Sequence, residues 1–325
     1  MIEAPRVQSV RFIGSAHAGS GAGWTLHGQD GGQSIALGGE TLFVFSDTLL
    51  SRSGQQLFLA NCAALSGEPT LDGAMSNLRY LEDEHGLPRE ILGANPLERM
   101  AGFRFWPQHG IAEGDDVLLF YLGIHQYDQR SAWGFRMSGS GMARLDPRTG
   151  ASERITRAGV WCLWPGDGDV RIGTQVLRAD AFVYVFGSRA SHAIVARVPS
   201  SSVGDPDAYR FLAADERWSE SVSDAVSIAK AAPEFSVSFN EHLGAYLMVY
   251  ADGFARELYV RTAPAVCGPY GPAVAVGRLP HRDSAEMVAL AFEHPRFAKN
   301  GGKTVVVSYC QPHFTQNSLV AVTFA

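Results

Sequence analysis

The sequence lacks the features that would place it in a membrane or on nucleic acid. In 325 residues no apolar run approaches the roughly 18 residues of a membrane-spanning helix. The N-terminal stretch MIEAPRVQSVRF has no apolar core like that of a secretory signal. The net charge of −6 argues against a nucleic-acid partner. We therefore expect no membrane or nucleic-acid association, and a cytoplasmic protein, or a secreted one if a leader has been removed.

Cysteine is also scarce. The four cysteines, Cys62, Cys162, Cys267 and Cys310, lie far apart, with no CxxC pair and no histidine at zinc-finger spacing. Buried free thiols are the usual state of such scattered cysteines. We therefore expect no disulfide framework and predict no metal site from the residues.

Helical periodicity is nearly absent. The one stretch that favours a helix is SVSDAVSIAKAA, residues 221–232, which could form about two turns. Elsewhere the apolar runs are short, rich in β-branched and aromatic residues, and bounded by Gly, Asp, Asn and Pro. Such runs are typical of buried strands, so the sequence predicts an all-β protein.

One phrase recurs five times: a short strand, a polar turn and an apolar strand. The five copies are QDGGQSIALGGETLFVFSDT, FWPQHGIAEGDDVLLFYLGIH, RIGTQVLRADAFVYVFGSR, PEFSVSFNEHLGAYLMVYAD and EHPRFAKNGGKTVVVSYCQP. Their landmarks Asp30, Trp106, Ile172, Glu234 and His294 are 76, 66, 62 and 60 residues apart. A period of this length with several strands per unit is typical of a propeller. We therefore predict a five-bladed β-propeller in which the five openings converge on one central funnel.

The ends of the chain predict how the ring closes. A third strand follows each repeat, and the last one, SLVAVTFA, ends the sequence. A strand near residues 7–13 is then available as the outer strand of the final blade. We predict one domain over residues 1–325. A long insertion at about residues 68–102 would form a loop over one face, where specificity is often placed.

The first repeat predicts a pair of facing aspartates. If Gly38 and Gly39 form a two-residue turn, paired positions sum to 77 and Asp30 faces Asp47. Two carboxyl groups directly opposite each other raise a pKa, which makes this pair a candidate catalytic site. Turn capping by either residue is the structural alternative. The glycines after Asp30 would let a ligand or another backbone approach closely.

Glu234 is the third catalytic candidate. It opens the fourth blade, where burial would give a carboxyl the pKa of a general acid. An exposed glutamate at a strand start is its structural alternative. Six further residues are candidates for binding substrate: Trp106, His109, His294, Gln175, Arg104 and His125. Trp106 suits stacking on a sugar ring, with core packing as its alternative, and His294 is equally well explained as a structural histidine.

The phrases DGGQS, LGGETLFVFSDT, PEFSVSFNEHLGAYLMVY and EHPRF resemble the DUF4185-type five-bladed propellers. Some members of that family are endo-D-arabinanases acting on cell-wall arabinan. The fourth repeat is also similar to the general-acid segment of furanosidase-type propeller hydrolases. The resemblance implies that Asp30 is a base or nucleophile, that Glu234 is the acid and that Asp47 orients the site. It implies no cofactor, although related propellers sometimes hold a calcium ion on the axis, which His294 would approach.

These observations favour a glycoside hydrolase acting on a furanose-containing, arabinan-type or related glycan. Two alternatives remain open at this point. One is an intracellular tailoring enzyme, a lyase, isomerase or cyclase, that uses the same funnel on a small metabolite. The other is a propeller that binds glycans without catalysis. The sequence leaves the oligomeric state and the stereochemical outcome open.

Overall fold

Five antiparallel sheets arranged as blades make up the fold, which confirms the predicted five-bladed propeller. The computed structural model describes residues 4–15, 23–67, 70–71, 75, 77–128, 130–131, 133–281, 287–311 and 317–325. The first strand, β1 (Val7–Ser15), pairs with the last strand of the chain, so the N-terminal strand closes the ring as predicted. Closure of this kind covers an edge that would otherwise be free.

The strands of the first three blades follow one another along the chain. Blade one contains β2 (Trp24–Leu37), β3 (Glu40–Arg52), β4 (Gln55–Leu59), β5 (Cys62–Ser66) and β6 (Arg79–Tyr80). Blade two contains β7 (Phe103–Glu113), β8 (Asp116–Gln126), β9 (Phe135–Leu145), β10 (Ser152–Ile155) and β11 (Trp164–Pro165). Blade three contains β12 (Val170–Ala179), β13 (Phe182–Arg189), β14 (His192–Pro199), β15 (Arg210–Leu212), β16 (Trp218–Ser219) and β17 (Ala229–Lys230).

The last two blades have fewer strands than the first three. Blade four contains β18 (Ser236–Asn240), β19 (Ala245–Asp252), β20 (Glu257–Ala263) and β21 (Val274–Arg278). Blade five contains β22 (Ala289–Glu293), β23 (Thr304–Cys310) and β24 (Ser318–Phe324), completed by β1. The strands β2, β7, β12, β18 and β22 each begin a blade and are its innermost strands.

Helices are few in the described part of the chain. The single α-helix there, α1 (Pro96–Met100), begins with a capping box in which Asn95 and Glu98 bond each other's backbone N–H groups. Short 3₁₀ turns occupy Ser200–Ser202, Pro206–Ala208, Ala214–Glu216, Val222–Asp224 and Pro295–Phe297. No helix among the described residues is long and apolar enough to cross a membrane.

The predicted helix at residues 221–232 is wrong. Only Val222–Asp224 makes a 3₁₀ turn, and β17 pairs with β14 of blade three. The backbone N–H groups of Ile228 and Ala231 donate to carbonyls of blade three instead of closing helical turns. Tertiary pairing has overridden a weak helical preference.

A separate hydrophobic core lies at each of the five blade interfaces. Buried pairs at these interfaces are Phe45 and Val306 (blades one and five), Val44 and Leu119 (one and two), Phe120 and Val185 (two and three), Phe186 and Met248 (three and four), and Val249 and Val307 (four and five). The apolar strands predicted from the repeats therefore stabilise the ring by packing blade against blade.

Two further predictions concern the cysteines and the segment 68–102. The described cysteines are all free, as expected, with Cys62 and Cys310 buried and Cys162 and Cys267 partly buried. The segment 68–102 was expected to be a loop over one face of the ring. It supplies β6, the outermost strand of blade one, and it packs Leu81, Ile91 and Leu92 into the core between blades one and two.

Candidate active site

The first hairpin brings Asp30 and Asp47 together. The predicted register holds from Leu37 opposite Glu40 to Gln33 opposite Val44, and it returns at Gln29 opposite Thr48. Between these stretches the strands bulge, and the backbone N–H of Asp47 donates a hydrogen bond to the Asp30 carboxyl. The bulge depends on two glycines with positive φ. A Cβ at Gly32 would lie 2.5 Å from Met75 Cε and 2.6 Å from Asn317 Nδ2. The groups that approach the Gly32 backbone closely are therefore side chains of the protein itself.

Burial and charge make this pair unusual. Burial, then the negative charge of Asp47, raises the pKa of Asp30 well above its ordinary value, against the opposing effect of Arg104. The Asp30 Oδ1 atom has no hydrogen-bond partner among the described residues. Burial also raises the pKa of Asp47 to about 6, although Arg104 and Trp106 oppose the shift. The pair therefore retains a proton at a pH where isolated aspartates have lost theirs.

Blade two holds Asp47 from the side. Trp106 Nε1 donates a 2.7 Å hydrogen bond to Asp47 Oδ1, and Arg104 Nη2 lies 3.4 Å from Oδ2. Both side chains come from β7, the innermost strand of the next blade. The structure thus brings the predicted residues Asp30, Asp47, Arg104 and Trp106 into one cluster.

Glu234, at the start of blade four, lies near this cluster. It lies just before β18, and its charge is close enough to contribute to the raised pKa of Asp30. Its carboxylate accepts a hydrogen bond from Arg171 Nη1, and its side chain is 21% exposed. Arg171, which also contacts Asp169, was missed by the sequence analysis because its partner comes from another blade.

A belt of hydrogen bonds joins the innermost strands around Thr174. The side chain of Gln33 donates to the Thr174 carbonyl at 2.8 Å. The Thr174 hydroxyl lies within hydrogen-bond distance of Gln108 Oε1, at 3.4 Å, and of the Pro233 carbonyl, at 3.3 Å. Thr174 therefore links blade three to blades one, two and four, and two of its partners lie close in sequence to Asp30 and Glu234.

His109, Gln175 and His294 belong to this buried layer. His109 accepts a hydrogen bond from the Val176 N–H at Nδ1, which leaves Nε2 to donate to the Ser34 carbonyl at 3.0 Å. Gln175 Nε2 lies 3.2 Å from the His109 ring. Burial lowers the pKa of His109 to about 4, so this histidine is neutral at physiological pH.

His294 is not at the opening of blade five, which corrects the sequence analysis. It directly follows β22, whose own bulge lies between Ala289 and Phe292, and its side chain has no accessible surface. Its Nδ1 atom is 2.9 Å from the Ser34 hydroxyl, and burial lowers its pKa to about 3. In this structure His294 stabilises the inner ring and does not face the funnel.

His125 does not join the carboxylate cluster. It lies near the end of β8, where its ring stacks on Phe103 with centroids 5.0 Å apart. Phe103 in turn contacts Trp161, a residue that packs against the core between blades one and two. The position of His125 is therefore explained by packing.

Glu293 is a buried carboxyl that the sequence analysis overlooked. Ser238 donates a 2.7 Å hydrogen bond to its Oε2, and its backbone N–H donates to Ser236. Burial raises the pKa of Glu293 to about 7. The only sequence signal is a glutamate at the end of the apolar run ALAF, directly before His294.

The predicted calcium ion near His294 gains no support from the described residues. Its Nε2 atom has no hydrogen-bond partner among the described residues. Calcium takes six to eight oxygen ligands. The described residues contain no group of three or more His, Cys, Asp or Glu that could hold a metal ion.

A pocket of about 460 Å³ opens beside Glu234 between blades four and five. Tyr250 and Tyr259, whose rings stack with centroids 5.7 Å apart, are part of its lining. Phe254 stands on its rim with 83% of its surface exposed. Asp30 and Asp47 do not line this pocket, so it adjoins the carboxyl groups only through Glu234. Its size and lining suit a small organic ligand.

The fold and sequence place the protein in a known family. Residues 17–311 match the domain of unknown function DUF4185, and the chain belongs to that family. No functionally curated protein matches the sequence significantly.

Solved structures share the architecture at low sequence identity. One is a protein presumed to be a hydrolase, from Bacteroides ovatus, with 15% identity, coverage of 92% of this chain and 86% of the other, and a TM-score of 0.66. A GH43_1 enzyme from Xanthomonas citri has 13% identity, coverage of 92% and 90%, and a TM-score of 0.54. An α-L-arabinofuranosidase from Clostridium thermocellum has 13% identity, coverage of 88% and 82%, and a TM-score of 0.52. Likeness at this level of identity shows the propeller fold.

Proposed function

We propose that the protein is a glycoside hydrolase acting on a furanose-containing, arabinan-type glycan. The observation that carries this proposal is the proximity of three carboxyl groups, with Asp30 and Asp47 buried as a pair and Glu234 close enough for its charge to affect Asp30. Glycoside hydrolysis requires two carboxyl groups in different states, one that gives a proton and one that acts at the anomeric carbon. The family resemblance and the glycosidases among the structural neighbours support this chemistry.

The environments of the carboxyl groups suggest their roles. Asp30 keeps its proton because it is buried beside Asp47, which suits the acid that protonates the glycosidic oxygen. Glu234 is engaged as a carboxylate by Arg171, which suits attack on the anomeric carbon, directly or through water. Asp47 would tune Asp30 through its own charge. This assignment exchanges the roles that the family resemblance implies for Asp30 and Glu234.

The proposal predicts that hydrolysis depends on both Asp30 and Glu234. Asp30→Asn and Glu234→Gln are each expected to reduce cleavage of the substrate glycan roughly 100- to 10,000-fold. The measurement is product release from a panel of glycans that includes D-arabinan and L-arabinan. Glu241→Gln, an exposed carboxylate in the β18–β19 turn, is the matched control and should cleave like the wild type.

Other results would favour the alternatives. Glycan binding without cleavage by the wild type would indicate a propeller that only binds glycans. Neither binding nor cleavage would favour a tailoring enzyme acting on a small metabolite. Unchanged cleavage by Glu234→Gln would remove Glu234 from the reaction.

A further inference from the structure

Aromatic side chains form a row that leads outward from Asp47. Trp106, bonded to Asp47, meets Phe135 edge to face at 5.2 Å, and Phe135 stacks against Trp133 at 6.5 Å. Trp133 is 60% exposed, and Phe58, across the boundary with blade one, is 46% exposed. We call Phe58, Trp106, Trp133 and Phe135 the aromatic ledge.

Arg104 lies among these rings. Its guanidinium carbon is 5.8 Å from the Phe58 ring, 5.3 Å from the Trp106 ring and 5.9 Å from the Phe135 ring. The same guanidinium pairs with Asp47, so the ledge and the carboxyl pair are parts of one assembly. Cation–π contacts hold three of the four rings of the ledge before any ligand arrives, and Trp133 is attached to them through Phe135.

The exposure of Trp133 is not explained by folding. A large apolar ring left in water contributes less to stability than a buried one, and clustered exposed apolar groups commonly mark binding sites. Ligand sites combine aromatic walls with a few fixed polar groups, and here Arg104 supplies the polar group. A sugar ring, which has an apolar C–H face and hydroxyl groups at its edge, matches both components.

We propose that the aromatic ledge binds the part of the glycan chain that extends beyond the sugar held at Asp30 and Asp47, with Trp133 as the outermost contact. The occupant is a glycan because the ledge continues directly from the carboxyl pair through the Trp106–Asp47 hydrogen bond. The pocket beside Glu234 lies on the other side of the funnel, so the ledge sets chain-length preference on the Asp47 side. This inference rests on the proposed glycoside hydrolase function.

The test compares short and long oligosaccharides prepared from arabinan. Trp133→Ala is expected to raise KM for the long members about tenfold, while kcat and the KM for the shortest cleavable member stay unchanged. Trp133→Phe, which keeps an aromatic face, should restore most of the affinity. Phe239→Ala is the control, since Phe239 is similarly exposed at 55% but lies next to the β18–β19 turn, away from Glu234.

Calorimetry of the Asp30→Asn variant with the same oligosaccharides measures binding without cleavage. This measurement separates the inference from the proposed function. Weaker binding of long chains when Trp133→Ala is added supports the ledge. Equal binding of all lengths with and without Trp133 overturns the ledge and leaves the hydrolase intact. If the wild type neither binds nor cleaves any arabinan oligosaccharide, the proposed function fails and the inference fails with it.

Discussion

Replacement of Asp30 by Asn is expected to reduce glycan hydrolysis roughly 100- to 10,000-fold and, at the same time, to stabilise the folded protein increasingly as the pH rises. The folded state disfavours the ionised form of Asp30 because the carboxyl is buried beside Asp47, whereas the unfolded chain loses that proton freely. Stability from such a group is present below its unfolded pKa and is lost as the pH rises through its folded pKa. Asparagine has the shape of the neutral acid and no proton to lose.

The pH dependence follows from three carboxyl groups with raised pKa values. Asp47 contributes a loss of stability between about pH 4 and 6, and Glu293 a loss between about pH 4.5 and 7. The raised pKa of Asp30 adds a loss in the same direction. His109 and His294 oppose these losses, because their lowered pKa values add stability as the pH rises to about 6.5. The contribution of each carboxyl is therefore expected as a stability gain, relative to the wild type, of the variant that lacks it, and this gain should grow as the pH rises above 5.

Thermal unfolding of the wild type, Asp30→Asn and Glu293→Gln between pH 5 and pH 8 measures the effect of each carboxyl on the melting temperature. Relative to the wild type, the Asp30→Asn variant should gain stability as the pH rises through this range, because burial makes ionisation of Asp30 unfavourable in the folded protein. Glu293→Gln should gain stability up to about pH 7, the value to which the pKa of Glu293 is raised. A melting-temperature difference between Asp30→Asn and the wild type that does not grow from pH 5 to pH 8 would contradict the buried protonated pair.

The same Asp30 variant also tests which carboxyl is the acid. If Asp30 protonates the leaving oxygen, aryl glycosides with good leaving groups need little protonation of that oxygen. The Asp30→Asn variant should therefore retain much of its activity on them. Glu234→Gln should lose activity on every substrate. The reverse result, with Glu234→Gln retaining aryl glycosidase activity, would restore the roles that the family resemblance implies.

Local patterns made the carboxyl pair predictable. The two glycines at the first turn fix the register of one hairpin, and that register brings Asp30 near Asp47 although the strands bulge at the pair itself. The ring itself follows from the repeat, since each apolar strand recurs with its polar turn. Such features depend on residues close in sequence or on periodicity, both of which a single sequence contains.

Contacts between blades were not predictable in the same way. The partners Arg171 and Glu234 lie 63 residues apart, and nothing in either local phrase indicates their pairing. His294 was assigned to the opening of a blade because the strand before it, ALAFE, is short and irregular. The neighbouring Glu293, which is buried between two serines of blade four, was overlooked for the same reason.

The bulge at Gly173 is expected to be the most sensitive backbone position of the site. Its φ is +103°, and a Cβ there would lie 2.2 Å from the Cβ of Phe120, which is fully buried between blades two and three. A Cβ atom cannot move away without moving its backbone. Gly173→Ala should therefore destabilise the protein by roughly 2 to 5 kcal/mol through overpacking and backbone strain together.

Gly114→Ala separates these two causes. Gly114 also has a positive φ, +63°, but a Cβ there would meet no atom within 4 Å. Its alanine variant should lose only about 1 kcal/mol, from strain alone. Denaturant unfolding measures the free energy of unfolding of both variants. Equal losses would show that the contact with Phe120 adds no destabilisation.

The bulge also has a consequence for activity. Gly173 positions Thr174, whose hydrogen bonds reach Gln33, three residues after Asp30, and Pro233, directly before Glu234. A shift of this strand would change the separation between the two carboxyl groups, on which glycoside hydrolysis depends. The Gly173→Ala protein that remains folded at low temperature should therefore hydrolyse glycan more slowly than the Gly114→Ala protein, and equal rates would contradict a role for the Thr174 belt in positioning the carboxyl groups.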